Sequence, residues 1–532
     1  MTGSEQLATT VFKAFLKHKL LPSPELMSSI TEQLRQNATS IENVEELLNV
    51  YARTVKDKSV IVFKELFSKQ LITQSASENI DWHHFEQLKF LADKGQAKPF
   101  EKALNDLKAK LQPESQDLVI EKAYKKKPCE RNFEHFTAYY LNRYKFLSNI
   151  LRTRDDSKIY SISRVLKSKP EGLISIIGMV VDKQHTRNNN LLFILDDPTG
   201  SLSMIVTNAD KELFNQAVNI NLDEVILVTG ILTRNKALIA SKILLPSFPE
   251  KQLTSLEQES YIAFIGDTHF GSKLFLKQEF SNFLRWINQE TGSEEQKLIA
   301  SKVKWVVITG DLVEGVGIYP NQEEELIIKD IYEQYNEAAR WLERIPKQIK
   351  ILIIPGNHDA VRIEEPQPPI PKKYASKLYE LENVVMLPNP SWVRIGGVKG
   401  LLTLLYHGFS MPYYADQVET IRQAGGQKRP DLIMQYLLER RHLAPSHNSN
   451  LYIPDPEEDP LLITKVPDLF VTGHIHRVSA TNYKNVTLIN SSCWTKKSKD
   501  QERRGLEPQP GRVILVNTKS RDIKILNFYQ GD

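Results

Sequence analysis

The chain contains 532 residues, of which 41% are hydrophobic and 25% are charged, and its net charge is +4. This length is too great for a single hydrophobic core, and the balance of apolar and charged residues is that of an ordinary globular protein. With no run of 18 apolar residues and no secretory signal peptide, we expect a cytoplasmic protein that does not enter a membrane. The two cysteines, Cys129 and Cys493, lie far apart, which fits a reducing compartment and not a disulfide framework.

The first 133 residues show little sign of a large core. Residues 1–50 contain short amphipathic patterns, so we predict a small helical N-terminal module there. Residues 51–133 are rich in Lys, Glu, Gln and Ser, which predicts a polar linker that is weakly ordered or helical. The lysine run near its end favours a solvated hinge over a nucleic-acid site.

Residues 134–157 are predicted to form one amphipathic helix. Large apolar side chains recur at helical spacing in this stretch, namely Phe136, Tyr140, Tyr144, Leu147 and Leu151. Such a stripe is more typical of packing against a core than of binding a separate partner.

Residues 158–250 are predicted to form an OB-type β-barrel. Five short β-type runs lie between Gly172 and Leu245, and the second and third are joined by Asp-Pro-Thr-Gly, a tight turn. A helix-like stretch, DKELFNQAV, separates the third run from the fourth, which is the order of an OB barrel. Because basic and aromatic side chains are sparse on these runs, we favour docking to another protein over nucleic-acid binding.

Residues 258–532 contain five polar clusters, each of which follows a continuous apolar run. The clusters contain Asp267 with His269, then Asp311, then Asn357 with His358 and Asp359, then His407, and finally His474 with His476. Continuous apolar runs are typical of strands buried on both faces. Since ligands gather beyond the carboxyl ends of such strands, we expect these clusters to converge on one pocket.

The residue types in these clusters predict a divalent metal site. Asp-x-His and His-x-His place two side chains on the same side of an extended segment. Imidazole with carboxylate and amide oxygen suits first-row ions, of which we favour Mn²⁺ over Fe²⁺, Zn²⁺ and Ni²⁺, and Mg²⁺ is a further alternative. About seven candidate ligands are too many for one tetrahedral ion, so we predict two ions about 3.5–4 Å apart that share a carboxylate. Asp311 is the expected bridge.

The ordered series Asp-x-His, Gly-Asp, Gly-Asn-His-Asp, His-Gly and Gly-His-x-His resembles the calcineurin-like metallophosphoesterase superfamily. More narrowly, the stretches GDTHFGSKLF, GDLVEGVGIYP and IPGNHDAVR resemble the small, exonuclease subunit of archaeal D-family DNA polymerase, across residues 134–532. The resemblance implies a multidomain α+β chain. Its parts are a helical N-terminal module, an OB-type barrel and a calcineurin-like α/β metallophosphoesterase sandwich.

The resemblance also implies roles for individual residues. One ion is held by Asp267, His269, Asp311 and His476, and the other by Asp311, Asn357, His407 and His474. The catalytic residues are His358, which faces the phosphate, and Asp359, which orients His358. No metal role is required of Glu314, for which a surface position is equally expected.

The activity implied is that of a proofreading 3′–5′ exonuclease that hydrolyses phosphodiester bonds at DNA 3′ ends with two divalent metal ions. The expected partner is the large catalytic subunit of a D-family DNA polymerase, in a heterodimer or a larger complex. Lys273, Arg477 and the basic stretch TKKSKDQERRG are candidates for guiding DNA, although a solvated surface is slightly favoured for that stretch.

Three other functions are compatible with parts of the pattern. A protein serine/threonine phosphatase would carry Arg-Gly after an Asp in the second motif, where this chain has GDLVEGVG. A repair nuclease of the same superfamily would begin with Asp-x-His near its N-terminus. A non-enzymatic assembly scaffold of the replicative polymerase would not need the intact ligand set, but a scaffold and an enzyme are not mutually exclusive.

Overall fold

The structure is a computed structural model that describes residues 20–21, 61–62, 117–124 and 130–531. The chain divides into two compact units, residues 1–117 and 118–532. In the first unit, Leu20–Leu21 pairs antiparallel with Ile61–Val62. The rest of the predicted helical module and most of the predicted linker lie outside the described residues. None of the helices described is both long and apolar enough to cross a lipid bilayer.

The C-terminal end of the predicted linker contains a strand, which corrects that prediction. Strand β1, Leu118–Ala123, pairs antiparallel with Ser391–Ile395 at the edge of a sheet in the second unit. The charged side chains of β1 favoured a solvated linker in the sequence analysis. In the structure they form ion pairs on the surface of the sheet. Glu121 binds Arg394, and its second carboxylate oxygen lies 2.8 Å from Lys465 Nζ.

Helix α1, Phe133–Arg152, connects this strand to the barrel. It begins at Asn132, whose side chain accepts a hydrogen bond from the backbone N–H of His135 at 3.1 Å, and it ends before Thr153. The predicted helix is therefore present, although it stops five residues before the predicted end. Tyr139, Leu147 and Leu151 are buried, as expected of a helix packed against a core.

The barrel follows α1 and closes on itself. Its elements are β2 (Ile159–Tyr160), α2 (Ile162–Ser168), β3 (Leu173–His185), β4 (Leu191–Asp197), β5 (Gly200–Val206), α3 (Lys211–Val218), β6 (Val225–Leu232) and β7 (Ala237–Leu244). The strands pair in the order β3, β4, β5, β7 and β6, and β6 returns to β3. In β4, alternate residues Leu191, Phe193 and Leu195 point into the barrel core. The predicted five-stranded barrel, with its helix after the third strand, is confirmed.

The remaining elements form an α/β sandwich. The strands are β8 (Tyr261–Ile265), β9 (Val303–Ile308), β10 (Lys350–Ile353), β11 (Val384–Met386), β12 (Ser391–Ile395), β13 (Leu401–Leu405), β14 (Leu469–Thr472), β15 (Ser479–Tyr483), β16 (Val486–Asn490), β17 (Arg512–Asn517) and β18 (Ile523–Asn527). The helices are α4 (Lys277–Ile287), α5 (Glu294–Ser301), α6 (Ile331–Leu342), α7 (Ser376–Glu380), α8 (Met411–Gln417), α9 (Glu419–Gln423), α10 (Pro430–Arg440) and α11 (Lys499–Arg503). One sheet has the order β11-β10-β9-β8-β17-β18, and the other has the order β15-β16-β14-β13-β12-β1.

Both faces of the central strands are apolar because each sheet is covered on both sides. In β8, Ile262 and Phe264 belong to the core between the two sheets, whereas Ala263 and Ile265 face the helices that cover the outer side. Successive side chains of a strand point alternately to the two faces. Because both faces are buried, these strands appear in the sequence as continuous apolar runs.

The strand directions bring the polar clusters to one edge. Strands β8, β9 and β10 are parallel neighbours, and so are β13 and β14 in the other sheet. The loops that follow these five strands carry the five clusters predicted from the sequence.

The barrel and α1 are attached to the sandwich by buried polar contacts. Glu224, on the barrel, binds Tyr436 and lies 3.2 Å from Arg440 Nε. Arg143, on α1, donates from Nε to Asp459 Oδ2 at 2.8 Å. Asp459 also binds His442 at 2.8 Å. Leaving such a buried charge without its partner lowers the free energy of unfolding by about 3–5 kcal/mol. These contacts therefore favour a fixed arrangement of the barrel and the sandwich.

The edge strand β1 leads to a test with three truncated chains. We expect a chain of residues 117–532 to keep the unfolding temperature of the second unit. A chain of residues 130–532 lacks β1 but keeps the Asn132 cap, and it should unfold at least about 2 °C lower because the pairing with Ser391–Ile395 is lost. A chain of residues 134–532 lacks both features and should unfold lower still. Equal unfolding temperatures for the first two chains, measured by calorimetry, would show that β1 contributes nothing.

Candidate metal centre

Five of the candidate ligands have a left-handed backbone conformation. The φ angles are 48° at Asp267, 49° at His269, 47° at Asp311, 67° at His474 and 59° at His476. The prediction that Asp-x-His and His-x-His align on extended segments is therefore wrong, since these residues lie in turns that follow the strands. A left-handed residue other than glycine costs about 1–3 kcal/mol and persists only where the surroundings impose it. Such strain concentrates at functional sites.

The first group of side chains contains Asp267, His269, Asp311 and His476. One ligand atom from each of the four lies within 4.8 Å of the others. His269 Nε2 is 3.2 Å from His476 Nε2 and 3.9 Å from Asp311 Oδ2. His476 Nε2 is 3.5 Å from Asp267 Oδ1. All four residues are buried.

The second group contains Asp311 again, together with His407, His474 and Asn357. His407 Nε2 is at its centre, 3.4 Å from Asp311 Oδ2, 3.2 Å from His474 Nδ1 and 3.0 Å from Asn357 Oδ1. The same carboxylate oxygen of Asp311 thus faces both groups. The fold brings together all seven residues predicted as metal ligands, with Asp311 between them.

The atoms in these groups fit divalent cations. His407 Nδ1 lies 2.8 Å from the Thr309 carbonyl oxygen and therefore carries a hydrogen, so the Nε2 lone pair of a neutral ring points at carboxylate and amide oxygens. Burial lowers the pKa of His407, but the negative charge of Asp311 outweighs burial and raises it to about 9. The field that stabilises a proton here also stabilises a cation, and the nitrogen and oxygen donors suit first-row divalent ions.

Asp311 is an ionised carboxylate in the interior of the protein. Burial raises its pKa, but the nearby rings of His407 and His358 more than compensate, so that the pKa lies well below its ordinary value. Its Oδ1 also accepts a hydrogen bond from the backbone N–H of His358 at 2.9 Å. Two glycines leave room for this arrangement. A Cβ atom at Gly356 would lie 2.2 Å from Asp311 Oδ1, and one at Gly310 would lie 2.4 Å from His407 Nδ1.

His358 lies at the open side of the first group. Its side chain is 16% exposed, and its ring stands perpendicular to that of His269 with 4.7 Å between ring centroids. His358 Nδ1 is 2.8 Å from the backbone carbonyl oxygen of Glu314. Glu314, and not Asp359, therefore orients His358.

Asp359 lies beneath the site, which corrects its predicted role. Its carboxylate accepts hydrogen bonds from the backbone N–H groups of Gly356 at 2.9 Å and Leu312 at 3.2 Å, and from the Tyr335 hydroxyl at 3.1 Å. Burial and the charge of Asp311 raise the pKa of Asp359 to about 6. Adjacency in sequence was misleading here, because neighbouring residues of a turn point in different directions. Asp359 holds the second and third clusters together.

Glu314 is a residue that the sequence analysis underestimated. It is only 5% exposed, and its Oε2 lies 3.2 Å from His269 Nδ1. Burial raises the pKa of Glu314, but His269 more than reverses this and lowers it to about 2. A carboxylate on the far nitrogen of a metal-binding histidine typically orients the ring. In the sequence, only the position of Glu314 three residues after Asp311 pointed to a role at the site.

Two further contacts had no signal in the sequence. The side chain of Asn389 accepts a hydrogen bond from the backbone N–H of His407 at 2.9 Å. Gln501, on α11, places its side-chain nitrogen 2.8 Å from His476 Nδ1. Asn389 comes from a loop and Gln501 from a helix, both far from their partners in the sequence, so only the folded chain brings them to the site.

Comparison with known proteins agrees with this geometry. The family model of calcineurin-like phosphoesterases matches residues 260–478. The DNA polymerase II small subunit of Methanothermobacter thermautotrophicus is 42% identical over 74% of this chain and 78% of its own length. The protein of that name from Archaeoglobus fulgidus is 37% identical over 77% of this chain and 80% of its own length. The one from Methanocaldococcus jannaschii is 36% identical over 74% of this chain and 65% of its own length.

The shared position of Asp311 predicts how metal is lost. The Asp311→Ala variant should bind neither of two Mn²⁺ ions, because it removes the carboxylate that faces both groups. His358→Ala is the matched control, and it should retain the metal content of the unmodified chain. Mn²⁺ titration followed by calorimetry or paramagnetic resonance measures both variants. One ion retained by Asp311→Ala would mean that the two groups are independent, and metal loss in His358→Ala would make His358 a ligand.

Proposed function

The chain belongs to the family of DNA polymerase II small subunits, and from this premise we propose that it is a metal-dependent 3′–5′ exonuclease that acts at DNA 3′ ends. The observation that carries the proposal is the position of Asp311, whose buried carboxylate faces two complete groups of candidate ligands. The calcineurin-like phosphoesterase domain supports hydrolysis of a phosphate ester with divalent ions. The family supports a DNA substrate and a large polymerase subunit as partner.

The intact ligand set favours an enzyme over a scaffold alone. Five ligands in left-handed conformations each cost about 1–3 kcal/mol of backbone strain. A protein that served only as a scaffold would gain stability by relaxing these turns. The chain retains them, together with the buried carboxylates and imidazoles that they position.

The proposed division of labour follows from the two groups. Asp267, His269, Asp311 and His476 would hold one ion, and Asp311, Asn357, His407 and His474 would hold the other. When bound, two such ions neutralise charge on the phosphate and lower the pKa of a water molecule towards neutrality.

His358 is proposed to contact the phosphate and to protonate the leaving oxygen. Its Nδ1–H is held by the Glu314 carbonyl oxygen, which leaves Nε2 as the atom available to substrate. Burial lowers the pKa of His358, against the opposing charges of Asp311 and Glu314. A phosphodiester anion beside the ring would oppose this lowering of the pKa and favour the protonated ring.

The direction of cleavage tests the proposed activity. With Mn²⁺, the purified chain should shorten a 5′-labelled single strand progressively from its 3′ end, and excess EDTA should stop the reaction. We expect Mn²⁺ to work at least as well as Mg²⁺, because Mg²⁺ prefers oxygen ligands and retains its waters. His358→Ala should lower the rate about 10²–10⁴-fold, as loss of a general acid would, while metal binding persists. Removal only from the 5′ end would refute the direction, and an intact substrate in Mn²⁺ would favour the scaffold.

The barrel offers a surface for the large subunit. Leu173, Ile231 and Ile239 are directly opposite one another on three adjacent strands and are 66%, 56% and 41% exposed. We propose that this apolar patch docks the large polymerase subunit, since a contiguous exposed apolar surface is typical of an interaction site.

Charge placed on this patch tests the docking proposal. The double variant Leu173→Asp/Ile231→Asp should lose co-purification with the large subunit, because two carboxylates would have to be buried in the interface. Leu298→Asp is the matched control, since Leu298 is 57% exposed and lies on α5 of the sandwich. The control should co-purify normally. If the double variant also co-purifies, the large subunit docks elsewhere.

A further inference from the structure

The basic segment 495–504 is built into the wall of the candidate metal centre. It has the sequence TKKSKDQERR, with five basic and two acidic side chains, and it contains α11. The residue before it, Trp494, donates its backbone N–H to the Asp267 carbonyl oxygen at 3.0 Å. Gln501, within it, contacts His476 Nδ1 at 2.8 Å. Trp494 and Gln501 therefore each contact a candidate ligand of the first group.

The segment is fixed on a second side by the loop that follows His269. Thr495 forms a β-bridge with Phe275, and the backbone N–H of Lys496 donates to the Leu274 carbonyl oxygen at 2.9 Å. The start of α11 is held by a capping box between Ser498 and Gln501. The basic side chains thus project from a backbone that is anchored to the site and not from a free loop.

Three of these basic side chains are available to a ligand. Lys497, Lys499 and Arg503 are exposed, and in the part of the chain that the structure describes they make no ion pair. Arg504, in contrast, is paired with Asp500 at 3.3 Å. Three cations that make no ion pair among the described residues, beside the candidate metal centre, form a positive surface that attracts a phosphate backbone.

The rim next to His358 has the opposite charge. Glu323, Glu324 and Glu325 follow the loop that carries Glu314, and Tyr319 links Glu325 to this region with a 2.8 Å hydrogen bond. The rings of Tyr319 and His358 are 6.2 Å apart. One basic side chain lies on the same rim, since Lys273 Nζ donates to the Glu324 carbonyl oxygen at 2.8 Å. The three glutamates repel a polyanion, whereas the basic segment attracts it.

We propose that residues 495–504 form the surface along which the phosphates of a single-stranded nucleic acid lie as its end enters the metal centre. Lys497, Lys499 and Arg503 contact successive phosphates, and Gln501 couples the segment to His476. This inference rests on the proposed function for the identity of the substrate. It adds the path of the strand, which follows the basic segment towards Gln501 and His476.

Charge reversal on the segment tests the surface in the full-length chain. The variant Lys497→Glu/Lys499→Glu/Arg503→Glu should bind a fluorescent single-stranded oligonucleotide, blocked at its 3′ end by phosphorothioate linkages, at least about tenfold more weakly in Mn²⁺. The slope of log affinity against log salt should fall by about two, because each lost phosphate contact contributes about 0.7 for single strands. Hydrolysis of bis(p-nitrophenyl) phosphate, which is too small to reach the segment, should stay unchanged.

The matched control changes the same charge at the opposite end of the sheets. Lys347, Lys399 and Lys519 are exposed and lie in turns at the far ends of β10, β13 and β8. The variant Lys347→Glu/Lys399→Glu/Lys519→Glu should bind the oligonucleotide with the same salt slope as the unmodified chain. Equal weakening in both triple variants would overturn the proposal, because net charge alone would then explain binding.

The remaining outcomes separate this surface from the proposed exonuclease activity. If the unmodified chain cleaves DNA but charge reversal does not weaken oligonucleotide binding, the proposed surface is wrong and the proposed exonuclease activity stands. If the chain binds the oligonucleotide through the segment but never cleaves DNA, the proposed exonuclease activity is wrong and the proposed surface stands. If the reversed variant fails to fold, the substitutions Lys497→Gln, Lys499→Gln and Arg503→Gln remove the same three charges, and an unchanged salt slope in that variant overturns the surface.

Discussion

The buried negative charge of Asp311 is the constraint on which the site depends. Moving an ionised carboxylate from water into a protein interior costs roughly several kcal/mol of free energy unless opposite charges and hydrogen bonds surround it. Asp311 is enclosed by His269 and His407 and by the backbone N–H of His358. Its neighbours Gly310 and Gly356 lack side chains at the positions where a Cβ atom would collide with this cluster. Divalent cations held by the two groups of candidate ligands would match the remaining charge.

The architecture supplies the rigidity that this arrangement needs. Two sheets are covered on both faces, so the strands before each cluster are held by close packing. The left-handed turns after those strands store backbone strain, which the surrounding core must stabilise. Tyr335 and Asp359 secure two of the turns from below through hydrogen bonds to one another and to backbone N–H groups. The barrel and α1 are attached by the buried pairs that Glu224 and Arg143 make with the sandwich.

Charge is distributed unevenly around the candidate metal centre. Glu314 Oε1 lies 3.8 Å from His358 Nδ1, and the Tyr319 hydroxyl contacts both Glu314 and Glu325. The basic residues of α11 lie on the side of His476. In the proposed complex, the basic segment attracts a negatively charged strand and the glutamates repel it.

Local pattern predicted the five strands of the barrel and the five polar clusters, and the family resemblance supplied the sandwich and the seven candidate metal ligands. Alternating or continuous apolar runs specify strands by their own periodicity, and clusters after parallel strands must meet at one edge. Side-chain direction within a turn is different, because it depends on φ and ψ angles that packing imposes. For this reason Asp359 was predicted beside His358 but lies beneath it, whereas Glu314 was predicted without a role but holds two histidines. Strand β1 and Gln501 required the tertiary structure for the same reason, since their partners are far away in the sequence and no local period records a long-range contact.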